Sequence, residues 1–227
     1  MKLVVWDFDG TLADTRLLIE DGMRFALKAM GKPSELMDKW LACVGLPVEE
    51  GLRRTFDVRN DSEMDSILNL YRSYDWVGNT HLIQPFPGMQ ELVAELNAKG
   101  VKQAIATSKR FKALEPQLAD FGWADSFFPV ITPERVTYPK PHPESLEVCL
   151  NTHNLHSEDA MMVGDTLFDL NMANAAKVPC IGVTYGFADE SQLANAAPIA
   201  CVGNVVELRK ILLKFLKQDD HGSNTTF

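Results

Sequence analysis

The sequence of 227 residues predicts an α/β fold: a doubly wound parallel sheet as the core, with an all-helical domain inserted into it. Three observations lead to this prediction. Apolar runs of strand length recur along the chain, and amphipathic helical stretches alternate with them. One further region of about 70 residues contains helical patterns alone.

The predicted core strands are short, unbroken apolar runs, partly β-branched, as is typical of strands buried on both faces of a parallel sheet. They are Leu3–Trp6, Lys102–Ala106, Phe127–Ile131, Ala160–Val163 and Cys180–Val183. The amphipathic stretches that alternate with them are Met89–Lys99, Phe111–Phe121, Pro143–His153, Leu167–Ala176 and Val205–Leu216. Strands that alternate with helices in this way predict parallel βαβ units.

The inserted helical domain is predicted over residues 15–84, between the first and second core strands. Its helical patterns are Leu17–Met30, Ser34–Val44, Val48–Phe56 and Ser62–Asp75. The sequence PFPG at positions 85–88 marks the return to the core, because proline and glycine interrupt regular structure. We therefore predict a core over residues 1–14 and 85–217, and a flexible polar tail over residues 218–227.

Composition and charge exclude several classes of protein. The net charge of −9 and the isoelectric point near 5.0 argue against a general surface for nucleic acid or anionic membrane. The four cysteines are scattered without a C-x-x-C pattern, which indicates free thiols. The N-terminus lacks the apolar run of a secretory signal, and no stretch is long enough to span a membrane. We expect a cytoplasmic protein that binds neither membrane nor nucleic acid.

Polar side chains gather where the predicted strands end. In open α/β sheets, ligands bind beyond the carboxyl ends of the strands, so these residues are candidates for a site. The first strand leads to Asp7 and Asp9, and the second leads to Thr107, Ser108 and Lys109. Lys140 lies in the loop before the fourth strand, which itself leads to Asp165 and, one helical turn later, Asp169.

Each of these residues also has a structural interpretation. Asp9 with Gly10 is a common hairpin turn, and Thr107 with Ser108 or Asp165 with Thr166 are common helix caps. Lys140 in a proline-rich loop is commonly a solvated surface charge. Their convergence on one edge of one sheet favours a chemical site instead.

The chemistry that this set of residues favours is phosphoryl transfer. Carboxylates of Asp7 and Asp165 suit Mg²⁺, a hard cation that prefers oxygen ligands. Thr107, the Ser108 amide and Lys140 can bind phosphate oxygens. One carboxylate can then attack phosphorus to form an aspartyl-phosphate, while a second carboxyl group acts as general acid and base.

These motifs resemble those of the haloacid dehalogenase-like (HAD) superfamily of hydrolases. DFDGT resembles the first motif of the family, Thr107 the second, Lys140 the third and GDTLFD the fourth. The layout fits the chain to about residue 216. The resemblance implies a Rossmann-like core, and it implies that the inserted helical domain is the cap that covers the active site.

The resemblance also implies a role for each residue. Asp7 would be the nucleophile and Asp9 the general acid and base. The Asp7 side chain, the Asp9 backbone carbonyl and the Asp165 side chain would hold Mg²⁺. Asp169 would bind metal-bound water or orient Lys140. The phosphate would be bound by the amides of Phe8 and Asp9 together with Thr107, Ser108 and Lys140.

The second acid, Asp9, favours a phosphatase, because the dehalogenases and phosphonate-cleaving members of the superfamily lack it. TSKR, PKPHP and VTYGF look most similar to the phosphoglycolate phosphatases. The expected substrate is therefore a small phosphorylated metabolite, similar to phosphoglycolate. The alternatives are a phosphomutase related to β-phosphoglucomutase and a non-enzymatic protein that binds a phosphorylated ligand.

The resemblance also implies that the cap turn LACVGLPVEEG, at positions 41–51, faces the leaving group of the substrate. It contains no Lys or Arg, so it predicts a compact monophosphate as substrate. Lys39, Arg53 and Arg54 are the nearby cations that can supply charge. Trp40 is interpreted as cap core, with a place in the pocket wall as the alternative.

Overall fold

The computed structural model describes residues 1–217 and consists of a parallel sheet between layers of helices, with four further helices beyond its carboxyl edge. The predicted tail over residues 218–227 lies outside the described residues. In chain order the strands are β1 Leu3–Trp6, β2 Ala13–Asp14, β3 Gln84–Pro85, β4 Lys102–Ala106, β5 Val130–Ile131, β6 Ala160–Gly164, β7 Cys180–Val183 and β8 Ala200–Val202.

The core sheet has the strand order β5-β4-β1-β6-β7-β8, and all its strands run parallel. β1 lies in the middle, between β4 and β6. The carboxyl ends of these three neighbours therefore meet at one place on the edge of the sheet, and the doubly wound α/β class predicted from the sequence is confirmed.

Ten helices of four residues or more lie within residues 1–217. They are α1 Arg16–Met30, α2 Leu36–Leu41, α3 Val48–Phe56, α4 Asp61–Arg72, α5 Met89–Ala98, α6 Phe111–Asp120, α7 Glu144–His153, α8 Leu167–Ala175, α9 Glu190–Leu193 and α10 Val205–Leu216. None of the helices in this described part of the chain has the length and apolar character that crossing a bilayer requires.

Alternation along β1 divides the core between the two faces of the sheet, because successive strand side chains point to opposite sides. Val4 and Trp6 pack in one cluster with apolar residues of α5, α6 and α10. Leu3 and Val5 pack in a second cluster with apolar residues of α7 and α8. Both faces of β1 are thus fully buried, which explains why its sequence is continuously apolar.

Helices α1 to α4 form their own apolar cluster, in which Met23, Trp40, Leu52 and Tyr71 are buried. The segments that enter and leave this helical region are joined by the two-stranded antiparallel ladder of β2 and β3. The sequence analysis did not predict that ladder. The division into a core over residues 1–14 and 85–217 and a cap over residues 15–84 stays our proposal.

One core strand is shorter than predicted, and another was not predicted. The strand predicted over Phe127–Ile131 is shortened to β5, because Pro129 has no N–H to donate to the ladder. Within it, Phe127 turns into the core while Phe128 is exposed. The strand β8 was not predicted, since a run of only three residues, Ala200–Val202, gives little periodic signal.

Candidate active site

The two acids that follow neighbouring strands come together at the carboxyl edge of the sheet. Asp7 follows β1 and Asp165 follows β6, while Asp169 lies in the first turn of α8. Carboxylate oxygens of these three residues all lie within 4.8 Å of one another, and the three residues are buried. The fold therefore concentrates negative charge in a site that water barely reaches.

Lys140 is the cation that enters this acidic cluster. Its Nζ donates to Asp7 Oδ1 at 2.8 Å and to Asp169 Oδ1 at 2.5 Å, and its side chain is 2% exposed. Burial works against its charge, but the two carboxylates outweigh burial and raise the pKa of Lys140. Lys140 is therefore a fixed positive charge, not the solvated surface lysine of the alternative interpretation.

Both carboxylate oxygens of Asp169 accept hydrogen bonds from its neighbours Thr166 and Lys140. Its Oδ2 accepts from the backbone N–H of Thr166 at 3.0 Å, as part of a capping box at the start of α8, and also from the Thr166 hydroxyl at 2.7 Å. Its Oδ1 accepts from Lys140. These contacts leave Asp169 suited to orienting Lys140 rather than to binding a cation directly.

The Asp7 and Asp165 carboxylates fit a divalent cation. Three carboxylates and one ammonium leave the cluster with two surplus negative charges. Burial raises the pKa of Asp7 to about 7, and burial together with the neighbouring acids raises the pKa of Asp165 well above its usual range. A divalent cation would offset the surplus negative charge of this cluster, and an all-oxygen ligand set suits Mg²⁺.

Asp165 is held rigidly for such a role. Its Oδ1 accepts from the Thr11 hydroxyl at 3.0 Å, and its Oδ2 accepts from the backbone N–H of Phe187 at 2.7 Å. By contrast, no residue in the described part of the chain donates a hydrogen bond to Asp7 Oδ2. Asp7 therefore keeps one oxygen available for a ligand or for reaction.

Unpartnered backbone amides lie beside Asp7. Within residues 1–217, the N–H groups of Phe8, Asp9 and Ser108 donate to no protein acceptor. The Thr107 hydroxyl oxygen accepts from the Lys109 amide at 3.2 Å, so its proton remains available to a further acceptor. Unpartnered donors at a strand edge form a site for an anion such as phosphate.

Asp9 lies at the same edge and is paired with a cation of the next strand's loop. Lys109 Nζ donates to Asp9 Oδ1 at 2.9 Å and also lies over the Phe8 ring, 5.6 Å from its centroid. The Asp9 side chain is 17% exposed, which makes it more accessible than Asp7. Sequence analysis placed Lys109 at this edge but gave it no role.

A cavity of about 200 Å³ connects the acids to the helices α1 to α4. Its core side is formed by Asp7, Asp9, Thr107, Ser108, Lys109, Arg110 and Ala113. Its cap side is formed by Ile19, Trp40, Cys43, Val44, Gly45, Leu46, Val48, Tyr71, Arg72 and Trp76. The volume lies below the range of about 300–1,000 Å³ usual for drug-sized ligands, so the cavity suits a small molecule.

The turn between α2 and α3 closes one side of this cavity. Gly45 adopts a φ of +102° there, and a Cβ at this position would lie 2.7 Å from the Thr166 hydroxyl. The Gly45 carbonyl accepts a hydrogen bond of 2.6 Å from the Ser108 hydroxyl. Glycine thus lets the turn approach the core closely enough for Ser108 to bind it.

Several lining residues carried no signal in the sequence. Tyr71 and Arg72 end α4, and Trp76 follows it. The sequence of this stretch predicts an ordinary amphipathic helix and gives no sign of a cavity. Trp40 satisfies both of its interpretations, since it is 4% exposed, packs on Tyr71 and lines the cavity. No local pattern distinguishes a helix face that lines a cavity from one that fills a core.

The two arginines near the cap turn are paired with acids outside the cavity. Arg54 pairs with Glu50 at 2.7 Å, and Arg53 pairs with Asp61 at 3.3 Å. Neither of these arginines lines the cavity, and Lys39 does not line it either. Arg72 is the cap cation that reaches the cavity wall, and the possibility that Arg53, Arg54 or Lys39 lies there is not realised.

Fold and site together define a doubly wound α/β protein with an acidic centre at the carboxyl edge of its parallel sheet. A model of the haloacid dehalogenase-like hydrolases matches residues 4–183. The chain belongs to this family of hydrolases, as its motifs predicted.

Two curated relatives cover nearly the whole chain. A protein of Dickeya dadantii named "Probable phosphatase IndB" is 32% identical over 211 residues, 91% of each chain. A phosphoglycolate phosphatase of Yersinia pseudotuberculosis is 29% identical over 209 residues, 90% of each chain. These relatives agree with the expectation of a phosphatase-type hydrolase.

Solved structures show the same fold. A protein of Clostridium acetobutylicum described as a "predicted phosphatase" superposes with a TM-score of 0.83 at 25% identity, over 94% of this chain and 98% of that one. A haloacid dehalogenase-like hydrolase of Bacteroides fragilis gives a TM-score of 0.85 at 23% identity, over 91% and 99%. The architecture is thus shared over the core and the helical region alike.

Proposed function

We propose that this protein is a Mg²⁺-dependent phosphatase that hydrolyses a compact phosphate monoester through an aspartyl-phosphate on Asp7. The observation that carries the proposal is the arrangement at the cavity floor. Two acids, Asp7 and Asp9, lie beside three unpartnered amides, and a buried lysine contacts Asp7. Such a site can receive a phosphate and supply both a nucleophile and a proton.

The first step forms a bond between an Asp7 oxygen and phosphorus and breaks the bond to the leaving oxygen. Asp9 gives its proton to that oxygen, which departs as an alcohol. In the second step Asp9 takes a proton from water as the water attacks the aspartyl-phosphate, which releases phosphate and restores Asp7. The greater exposure of Asp9 suits a group that must exchange protons with both alcohol and water.

The phosphate oxygens would be bound by groups that surround Asp7. The amides of Phe8, Asp9 and Ser108 and the hydroxyl of Thr107 can each donate one hydrogen bond. Preorganised donors of this kind stabilise the charge that develops during transfer. Lys140, held by Asp169, adds a positive charge that does not need to move during the reaction.

The side chains of Asp7 and Asp165 and the backbone carbonyl of Asp9 would hold Mg²⁺, with Asp169 outside this ligand set. When bound, the cation neutralises surplus carboxylate charge and lowers the repulsion between Asp7 and an incoming phosphate. The chain's part is to keep Asp165 fixed, which its hydrogen bonds from Thr11 and Phe187 support.

Paired charges and free cysteines bear on the alternative reaction and on the site of action. A phosphomutase is not favoured, because a bisphosphate needs a second free cation and the cap's Arg72 is paired with Glu49. A cytoplasmic site of action is supported by four free cysteines, at positions 43, 149, 180 and 201.

The experiment that tests the function is phosphate release from a panel of monoesters by the full chain, with Mg²⁺ and with a chelator. Trapping of a phosphorylated Asp7 by rapid acid quench and mass spectrometry tests the covalent step. Activity that persists without divalent metal, or label on any other residue, would contradict the proposal.

A further inference from the structure

The cap side of the cavity is mainly apolar, and the one buried side-chain donor on it without a hydrogen-bond partner, among the described residues, is the indole N–H of Trp40. Trp40, Tyr71 and Trp76 form a chain of aromatic contacts, with successive ring centroids 5.3 Å and 4.9 Å apart. Aliphatic residues complete this wall: Ile19, Val44, Leu46 and Val48. The indole N–H of Trp76 is already bound to the Tyr71 carbonyl, so that ring presents hydrocarbon. The leaving group of a bound monoester meets this wall, because the acids and phosphate donors lie opposite it.

Every cation that lines the cavity is already paired with a carboxylate. Among the residues that the structure describes, these cations are Arg72, Lys109 and Arg110. Lys109 binds the catalytic candidate Asp9, and Arg110 Nε donates to Glu134 at 3.1 Å. On the cap side, where Arg72 is the lining cation, a second anionic group on the leaving alcohol would therefore have no free positive charge to meet.

Arg72 is the cation whose pairing matters most, because it alone belongs to the cap wall. Its guanidinium donates to Glu49 Oε1, in the first turn of α3. Both side chains are near half exposed, at 41% and 48%, so the pair is held at the cavity rim. Glu49 itself does not line the cavity, and thus acts on the wall only by neutralising Arg72.

We propose that the cavity selects a phosphate monoester whose leaving alcohol is uncharged and carries a compact hydrocarbon body, and that Glu49 enforces this selection by neutralising Arg72. The inference rests on the proposed phosphatase function and narrows its substrate class. A leaving group that carries a carboxylate would lose hydration against a mainly apolar wall without gaining a free cation, and the Trp40 N–H alone would not replace the hydration of a full charge. Selection of this kind works by penalising the wrong ligand.

The uncharged leaving group that the cavity wall favours differs from that of the phosphoglycolate-like substrate that the sequence motifs favour. Phosphoglycolate carries a carboxylate on its leaving group. Isobutyl phosphate has the same heavy-atom skeleton, with two methyl groups in place of the two carboxylate oxygens. Comparing these two esters therefore separates the effect of leaving-group charge from that of leaving-group size. Benzyl phosphate adds an aromatic body that can pack on Tyr71 and Trp76.

The test compares kcat/KM for isobutyl phosphate, benzyl phosphate and phosphoglycolate, using the full chain with Mg²⁺. We expect isobutyl phosphate to exceed phosphoglycolate by about tenfold or more, the order of effect of leaving one charged group unpaired. A kcat/KM for phosphoglycolate equal to or above that for isobutyl phosphate would overturn the selection.

Glu49→Gln tests the assigned residue, because it frees Arg72 without changing the cavity wall. We expect kcat/KM for phosphoglycolate to rise about three- to tenfold through a lower KM, with isobutyl phosphate changed less than about twofold. Glu50→Gln is the matched control, since Glu50 lies in the same helical turn but pairs with Arg54. An unchanged substrate ratio in Glu49→Gln, or an equal change in Glu50→Gln, would overturn the role of Glu49.

Failure of the proposed phosphatase function would give a different result in the same assay. In that case no ester in the panel, including p-nitrophenyl phosphate, would release phosphate with Mg²⁺, and the selection proposed for the leaving group would fall with it. Release from p-nitrophenyl phosphate together with preference for phosphoglycolate would instead keep the phosphatase and overturn only the substrate class.

Discussion

The Ser108 hydroxyl donates a 2.6 Å hydrogen bond to the backbone carbonyl of Gly45, across 63 positions of sequence. Ser108 follows the core strand β4, while Gly45 lies in the turn between two cap helices. One side chain thus joins the loop whose amide faces the phosphate site to the turn that covers it. The resemblance assigned Ser108 to phosphate binding through its amide, and its hydroxyl adds this contact with the cap.

Ser108→Ala should weaken closure of the cap turn while leaving the amide in place. We expect kcat/KM to fall about three- to tenfold, the loss that corresponds to one net hydrogen bond of about 0.5–1.5 kcal/mol. Steady-state kinetics of phosphate release measure it. Ser66→Ala is the control, because the Ser66 hydroxyl binds only the carbonyl of Ser62 within α4. Equal activity in Ser108→Ala and wild type would show that the contact has no role in turnover.

Asp7→Asn should abolish turnover without unfolding the protein. The amide has the size of the carboxylate but cannot attack phosphorus, and Lys140 keeps its ion pair with Asp169. Phosphate release should fall by at least about a thousandfold, as is common when a nucleophile is removed. Circular dichroism should give the wild-type spectrum. Near wild-type turnover by a preparation free of contaminating phosphatase would rule out Asp7 as nucleophile.

Mg²⁺ should stabilise the wild type and not Asp165→Asn. At a hundredfold excess over its dissociation constant, a ligand of the native state adds about 2.7 kcal/mol of stability. For a chain of this size that corresponds to a rise in Tm of several degrees. Thermal unfolding with Mg²⁺ and with chelator measures the difference. The exposed Asp65→Asn is the control and should retain the wild-type shift. A full shift in Asp165→Asn would remove Asp165 from the ligand set.

The metal-free protein should lose stability as pH rises through the range in which Asp7 titrates. Burial raises the pKa of Asp7 from its ordinary value near 4 to about 7 in the folded chain. Between these values the folded state holds a proton that the unfolded state has released, so the free energy of unfolding falls as pH increases. The contribution is fully present below about pH 4 and is lost by about pH 7.

Urea unfolding at a series of pH values in metal-free buffer measures this slope. Asp7→Asn should flatten it, because the amide does not titrate, while Asp65→Asn should keep it. The slope should not vanish, since the pKa of Asp165 is also raised and contributes in the same direction. Identical slopes in Asp7→Asn and wild type would mean that Asp7 is ionised in the metal-free fold throughout this range.

The parallel sheet and the gathering of the acids at one of its edges could be predicted from the amino-acid sequence. An apolar run such as Leu3–Trp6 indicates a strand buried on both faces, and the structure buries it so, while its place between β4 and β6 is known from the structure alone. The carboxyl ends of parallel neighbours must then meet, which brings Asp7 and Asp165 together. These conclusions follow from local periodicity and from the geometry of parallel strands, so they need no knowledge of side-chain contacts.

Which charges are free depends on the packing of the helices and could not be predicted from the sequence. Lys109 meets Asp9 across 100 positions, and Arg72 meets Glu49 across 23, with no periodic pattern linking either pair. Such pairs depend on how helices pack and on which rotamers that packing allows, and neither is encoded in local spacing. The same sequence that predicts a phosphate site at Asp7 therefore leaves the cap wall undetermined until α3 and α4 are packed and Glu49 reaches Arg72.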